Sequence, residues 1–181
     1  MQTYFRPCPD RYPEAILRRM NTNEPKETLP EISVVMPAYN EGGHIFENIR
    51  ETRDALIDAG YDAELVVVDD GSVDDTLNEI VRAADSFDNV VAARNPYNMG
   101  KGMALRTGFD HARGEIIVFL DADLDLHPSQ IHRLMDELKR GPYDVVVTSK
   151  HHPESRLEYP FTRKIASLGY YLLIKILFNL P

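Results

Sequence analysis

The sequence of 181 residues holds a single cysteine, Cys8. No intramolecular disulfide can form, and a zinc site built on several cysteines is excluded. A lone thiol suits a reducing environment. Positive charge is in deficit: 20 Lys and Arg stand against 29 Asp and Glu, a formal net charge of -9. Phosphate backbones attract basic surfaces, so no nucleic-acid partner is expected. The opening MQTYFRPCPD lacks an apolar core, so no signal peptide is expected. The most apolar stretch, Ile165 to Leu180, is broken by Lys175 and falls short of the roughly 20 residues that span a bilayer. No internal repeat and no low-complexity tract is visible.

What is present is globular. Hydrophobic residues make 43% and charged residues 27% of the chain, values that exclude collagen-like and wholly disordered classes. A chain this long can bury a core without staples. Charge is unevenly spread. From Lys150 onward Lys150, Arg156, Arg163, Lys164 and Lys175 face only Glu154 and Glu158, a basic end on an acidic body that suits an anionic partner. Residues 1–30, with Pro7, Pro9, Pro13, Pro25 and Pro30, read as an extended arm.

From residue 31 the pattern becomes regular. Apolar runs predict strands at Ile32–Met36, Glu64–Val68, Val90–Ala93, Glu115–Leu120 and Tyr143–Ser149. Between them, 3.6-residue spacing predicts helices over His44–Ala59, Asp75–Ala84, Gly100–Ala112 and Pro128–Arg140. Ile57, Val81, Phe109 and Leu134 are expected on the buried faces. Gly60 suits a helix stop and Pro128 a first helical turn. Strands alternating with helices predict an α/β domain over residues 31–160 with a mostly parallel central sheet flanked by helices.

Ligands of such sheets bind beyond the carboxyl ends of the strands. Three strands end in polar residues: Pro37-Ala38-Tyr39-Asn40-Glu41, Asp69-Asp70-Gly71-Ser72-Val73-Asp74, and Asp121-Ala122-Asp123-Leu124-Asp125. One such end is common in turns and caps; three on one side make a site. Asp121 and Asp123 are two apart, so in extended backbone both carboxylates point the same way, toward one hard cation such as Mg²⁺ or Mn²⁺. Asp125 either joins them or lies behind them.

Familiar phosphate loops are absent. Asn98-Met99-Gly100-Lys101-Gly102 opens a helix, but a P-loop needs Gly where Asn95 stands and Ser or Thr where Gly102 stands. The dinucleotide fingerprint needs Gly where Leu105 stands. The segment can still bring Lys101 and helix N–H groups to a phosphate or a sugar. His151-His152 and His127 lie near strand ends, where solvated loop histidines are the ordinary occupants. No nucleophilic triad is evident: Cys8 has no visible partner, and Ser72 and Ser149 lack the nucleophile-elbow context.

Four segments together carry a resemblance: the strand leading into PAYNE, the VVVDDGSVDDT block, RNPYNMGKGMALRTGFDHARGE and FLDADLDLHP. Over residues 31–181 the chain resembles the family 2 glycosyltransferases of GT-A fold. Within them it is most similar to polyprenyl-phosphate sugar synthases of the dolichyl-phosphate mannose or glucose type. The resemblance implies that Pro37, Ala38, Tyr39 and Glu41 line the pocket for base and ribose, and that Val68 and Asp70 contact the base. It implies that Asp121, Ala122 and Asp123 hold the diphosphate, with Asp123 as main ligand of a Mg²⁺ or Mn²⁺ cofactor and Asp125 assisting. Lys101 joins the nucleotide-sugar site. Thr148-Ser149-Lys150 stands where the mannose type has Gly-Thr-Arg, so Lys150 keeps the charge but loses the bidentate fork. Arg163 matches the arginine near the acceptor phosphate.

These roles imply an inverting, metal-dependent transferase that moves a hexose from a nucleotide-diphosphate sugar, GDP-mannose or UDP-glucose, to a polyprenyl phosphate. An anionic phosphate oxygen needs no strong general base to attack; a sugar hydroxyl would, and Asp125 is then the candidate. A glycan or polysaccharide acceptor stays open, as does a truncated, inactive nucleotide-sugar-binding domain. The chain stops at Pro181, before the Asp-Thr-Gln-Thr-Gly-like segment of the family, so truncation is expected. In residues 161–181, Phe161, Ile165, Leu168, Leu172, Ile176 and Leu180 form one stripe, and Arg163, Lys164 and Lys175 flank it. This predicts an interfacial helix at the cytoplasmic face of a membrane, peripheral or anchored by segments beyond this chain.

Overall fold

The computed structural model describes residues 29–148 and Tyr170. Expectations for the N-terminal arm up to residue 28, for Lys150, His151, His152 and Arg163, and for the helix of residues 161–181 lie outside the described residues. The chain divides into two compact units, Met1–Asp136 and Glu137–Pro181.

The order of elements is β1 (Ile32–Ala38), α1 (Ile45–Asp58), β2 (Ala63–Asp69), α2 (Thr76–Ser86), β3 (Val90–Arg94), α3 (Lys101–His111), β4 (Ile116–Phe119) and α4 (Gln130–Arg140). All strand pairs are parallel, in the order β3-β2-β1-β4. β1 and β2 are buried almost throughout, as continuous apolar runs in a parallel sheet must be. Alternate residues serve opposite faces. Val34, Met36, Leu65 and Val67 pack with Ile45, Ile49, Leu56, Ile80, Ile131 and Met135 from α1, α2 and α4. Val35, Val66 and Val68 pack instead with Ala104 of α3. Small residues let α3 come close: a methyl group added to Gly108 would stand 2.3 Å from Val35 Cγ1.

Two polar residues inside strands have their own account. Ser33 and Glu64 are register partners, and both are buried. The Ser33 hydroxyl donates to Glu64 Oε1 at 2.7 Å, Arg113 Nε donates to Glu64 Oε2 at 2.8 Å, and the Gly114 N–H donates to Ser33 Oγ at 2.6 Å. Burial pushes the Glu64 carboxyl up, but the Ser33 hydroxyl and the Arg113 N–H groups and charge together hold it below its usual value. The cluster fastens the start of β4 to the sheet, at the end opposite the polar strand ends.

α1 stops as expected. Gly60 has φ +79, its N–H donates to Ile57 O at 2.9 Å, and the Tyr61 N–H donates to Leu56 O at 3.0 Å. Three expected core residues are corrected. Ile57, Val81 and Phe109 are exposed. Each follows directly on a buried residue, Leu56, Ile80 or Gly108, and one residue turns a helix by about 100°, far enough to leave a narrow face. Leu134 is half-buried beside the fully packed Ile131 and Met135. The strand expected over Tyr143–Ser149 is also corrected: residues 143–148 form no strand, and Val145 and Val147 are 74% and 78% exposed. An apolar run makes a strand only where a partner takes its backbone groups.

Candidate active site

Strand order builds the site. β1 lies between β2 and β4, so the three polar strand ends are neighbours at the point where the sheet reverses its order of growth. A cleft of about 320 Å³ opens there. Pro37, Ala38, Tyr39, Glu41, Asp70, Lys101, Asp121, Ala122 and Asp123 line it together with Asn98 and Ala104. Val68 does not; its side chain is fully buried beneath α3. Asp125 is exposed and outside the lining, and Lys150 and Arg163 are not among the described residues.

The first wall is set by a zipper between two loops. The Asn40 N–H donates to Ser72 Oγ at 2.9 Å, the Glu41 N–H to Thr76 Oγ1 at 2.8 Å, and the Gly42 N–H to Asp74 Oδ2 at 3.1 Å. In return the Val73 N–H donates to Asn40 Oδ1 at 3.1 Å. Asn40 has φ +56, a conformation that asparagine tolerates. The Asp74 carboxyl is held below its usual value, first by the Thr76 hydroxyl, then by the N–H groups of Thr76 and Gly42. The side chains of Tyr39 and Glu41 are thereby left facing the cleft.

The second wall hangs on Asp70, which is 4% exposed. Its Oδ1 accepts from Asn95 Nδ2 at 2.7 Å and from the Met99 N–H at 3.1 Å; its Oδ2 accepts from the Gly100 N–H at 2.8 Å. Thr107 of α3 completes the chain by donating to Asn95 Oδ1 at 2.8 Å. Asp70 thus holds the loop that presents Lys101. Gly71, at φ +70, lets the two loops touch; a side chain there would meet the Tyr97 backbone at 2.3 Å. Neighbouring Asp69 is buried, accepts the Ser72 N–H at 3.0 Å, and pairs with Arg94 Nε at 3.2 Å without hydrogen-bond geometry.

The third wall is the segment after β4. Its backbone is a turn, a correction to the extended geometry expected: the Leu124 N–H donates to Asp121 O at 3.2 Å, and Leu124 has φ +53. A left-handed residue of this kind costs about 1–3 kcal/mol, and the packing of Leu124 on the core holds it there. Ala122 is buried and gives its carbonyl to Asn48 Nδ2 at 2.7 Å, while Asp121 and Asp123 face outward. The Asp125 N–H donates to Asp123 Oδ1 at 3.1 Å, so Asp125 orients Asp123 through its backbone. Lys101 Nζ lies 2.6 Å from Asp121 Oδ1.

Asp121 and Asp123 suit a hard divalent cation. Both are oxygen donors on the cleft wall, and Asp121 already draws one cation, the lysine. Among the described residues no group of three or more His, Cys, Asp or Glu gathers at metal-binding spacing.

Sequence reasoning missed Asn95, Asn98, Thr107 and the anchoring roles of Ser72, Asp74 and Thr76. The acidic and hydroxyl residues after β2 were legible as a block, and their direction was not. Asn95 and Thr107 lie in the RNPYNMGKGMALRTGFDHARGE segment, but nothing in it marked the bond between them.

The sequence matches the profile of Glycosyl transferase family 2 over residues 33–178. It is 34% identical over 172 residues to a dolichyl-phosphate beta-glucosyltransferase of Trichomonas vaginalis, covering 86% of this chain and 53% of that protein. It is 38% identical over 143 residues to an undecaprenyl-phosphate 4-deoxy-4-formamido-L-arabinose transferase of Erwinia tasmaniensis, covering 78% and 42%. The chain thus spans about half the length of these relatives. Among solved structures, it resembles a mannosyltransferase of Pyrobaculum calidifontis in complex with GDP-Man and Mn²⁺, with TM-score 0.51, 30% identity, and 64% of this chain and 34% of that one covered. It also resembles the glucosyl-3-phosphoglycerate synthase of Mycobacterium tuberculosis in complex with UDP, with TM-score 0.50, 31% identity, and 62% and 41% covered. The parallel sheet, its flanking helices and these neighbours make the fold GT-A. Since the family match runs over most of the chain and both relatives exceed 30% identity across more than three quarters of it, the chain belongs to glycosyl transferase family 2.

Proposed function

We propose that this chain carries the donor half of an inverting transferase that moves a hexose from a nucleotide-diphosphate sugar to a polyprenyl phosphate. One observation supports it most: the cleft brings aromatic and apolar lining (Pro37, Tyr39) together with charged lining (Lys101, Asp121, Asp123). A base and ribose suit the first, and a metal-bridged diphosphate suits the second. The relatives named for dolichyl and undecaprenyl phosphates support a lipid-phosphate acceptor, and the neighbours in complex with GDP-Man or UDP support the donor. Because the chain spans about half of those relatives, the acceptor step is proposed for the whole protein.

In this reading Tyr39 and Glu41 hold the nucleoside, and Lys101 neutralises one face of the diphosphate. Asp121 and Asp123 would hold a Mg²⁺ or Mn²⁺ ion, which supplies Lewis-acid charge to the leaving diphosphate. Asp125 keeps Asp123 turned toward the cleft. Lys150 and Arg163 are proposed to serve the diphosphate and the acceptor phosphate. The test is thermal unfolding with UDP-glucose, GDP-mannose and UDP-N-acetylglucosamine, each with and without Mn²⁺. A ligand bound to the native state alone raises the midpoint. One donor should do so, and more strongly with Mn²⁺; no shift with any of them removes the proposal. Transfer of that sugar by the whole protein to a polyprenyl phosphate, and not to a glycan, then tests the acceptor.

A further inference from the structure

Lys101 and Asp121 stand in a relation that the proposed donor site does not by itself require. Lys101 Nζ sits 2.6 Å from Asp121 Oδ1, on a carboxylate assigned to the divalent cation. Both side chains are exposed, Lys101 by 61% and Asp121 by 52%. Their backbones are fixed by separate devices: Asp70 grips the Met99 and Gly100 N–H groups, and the Leu124 N–H closes the turn on Asp121. What remains free to move is the four-carbon lysine stem. An ammonium and a divalent ion repel each other, so one carboxylate that holds both does so against that repulsion.

Resting on the donor-site reading above, we propose that Lys101 is an internal counter-ion that occupies the place of the divalent cation at Asp121 until a nucleotide diphosphate draws it away. The ion arriving alone must break the pair. The diphosphate arriving alone takes the lysine and leaves Asp121 uncompensated beside its phosphates. When both arrive, the pair is broken once, the lysine meets the diphosphate and the carboxylate meets the metal. Breaking one contact on behalf of two ligands couples their binding, and the coupling is reciprocal. Lys101 thus disfavours loading of the metal without the nucleotide, and makes donor and metal enter together.

The size of the effect follows from the exposure of the pair. Exposed ion pairs are weak, so the lysine should lower metal affinity by about threefold to fivefold, and no more. The experiment uses the chain as it stands and measures Mn²⁺ binding by electron paramagnetic resonance, alone and with saturating UDP or GDP, whichever binds. Lys101→Met should bind Mn²⁺ alone about threefold to fivefold more tightly and UDP or GDP alone more weakly. Its Mn²⁺ affinity in the nucleotide complex should change little, so the coupling factor falls. If the lysine acted only as a nearby positive charge, Lys101→Met would tighten Mn²⁺ equally in the free protein and in the complex, and an unchanged coupling factor would overturn the proposal. Lys101→Arg, which keeps charge and reach, should retain most of the coupling. A wild-type chain that binds neither nucleotide would instead overturn the donor-site reading, so the two failures are distinct.

Discussion

At the scale of single residues, two buried carboxylates carry most of what is specific here, and they lie at opposite ends of the sheet. Asp70 spends its oxygens on Asn95, Met99 and Gly100, so we propose that it acts on a nucleotide through the loop it holds. Asp70→Ala leaves Asn95 Nδ2 and the Met99 N–H without that acceptor, while the Gly100 N–H keeps Asn98 Oδ1 at 3.0 Å; losing the acceptor costs about 1–3 kcal/mol for such a buried group. Urea unfolding should register that loss, and calorimetry should find UDP or GDP weakened even without metal. Asp123→Ala should leave stability and metal-free nucleotide binding nearly unchanged while abolishing the gain from Mn²⁺; a retained gain would remove Asp123 from the metal site. Glu64 acts on stability alone. Its folded value is depressed, so its contribution is complete above the ordinary carboxylate value and is lost as pH falls through the folded one. Glu64→Gln should therefore lower stability by about 1–3 kcal/mol at pH 7. The gap between variant and wild type should close as the pH drops below about 4.3, the ordinary glutamate value.

At the scale of elements, the sequence was informative wherever apolar residues repeat, and silent wherever polar ones pair at a distance. The four strands that form have continuous apolar runs, and the helices between them carry 3.6-residue stripes. Tyr143–Ser149 has the same local pattern and forms no strand over its described residues. Period alone cannot say whether a neighbour is in register. The packing of α3 was misjudged for a related reason. Phe109, expected on the buried face, is exposed, and the close approach of helix to sheet is set by Gly108, with Val35 immediately beneath it. Gly108→Ala should thus destabilise by about 1–3 kcal/mol despite its better helix propensity, by overpacking. A thermal midpoint at or above the wild-type value would mean that Val35 can turn aside. Asp121, Asp123 and the PAYNE segment were legible as a site because they close adjacent strands. Thr107 and Asn95 were not, since their bond spans two elements and neither residue type stands out in a helix or a loop.

At the scale of the whole molecule, the cleft proposed to take the donor is built within the first compact unit, between strand ends and two loops. Among the described residues no helix is long and apolar enough to cross a membrane. Membrane contact is proposed for residues 161–181 on their sequence, through the apolar residues and the basic side chains Arg163, Lys164 and Lys175. Deleting residues 165–181 should cut sedimentation with anionic liposomes and leave nucleotide binding nearly unchanged. Liposome binding that survives the deletion would remove that role from the segment.

The zipper between residues 40–42 and residues 72–76 bears on how such a cleft changes over time. Backbone N–H groups on one loop are held by side chains on the other, so Asn40, Ser72, Asp74 and Thr76 form a single inheritable unit. Tyr39 and Glu41 hang from that unit without holding it together through their side chains. In a randomised library, the four anchoring positions should therefore survive only as compatible sets, whereas Tyr39 and Glu41 should vary independently of them and of each other. Under the proposed role of Tyr39 and Glu41 at the nucleoside, a lineage could then exchange one donor for another by changing two side chains on a frame that never had to be rebuilt.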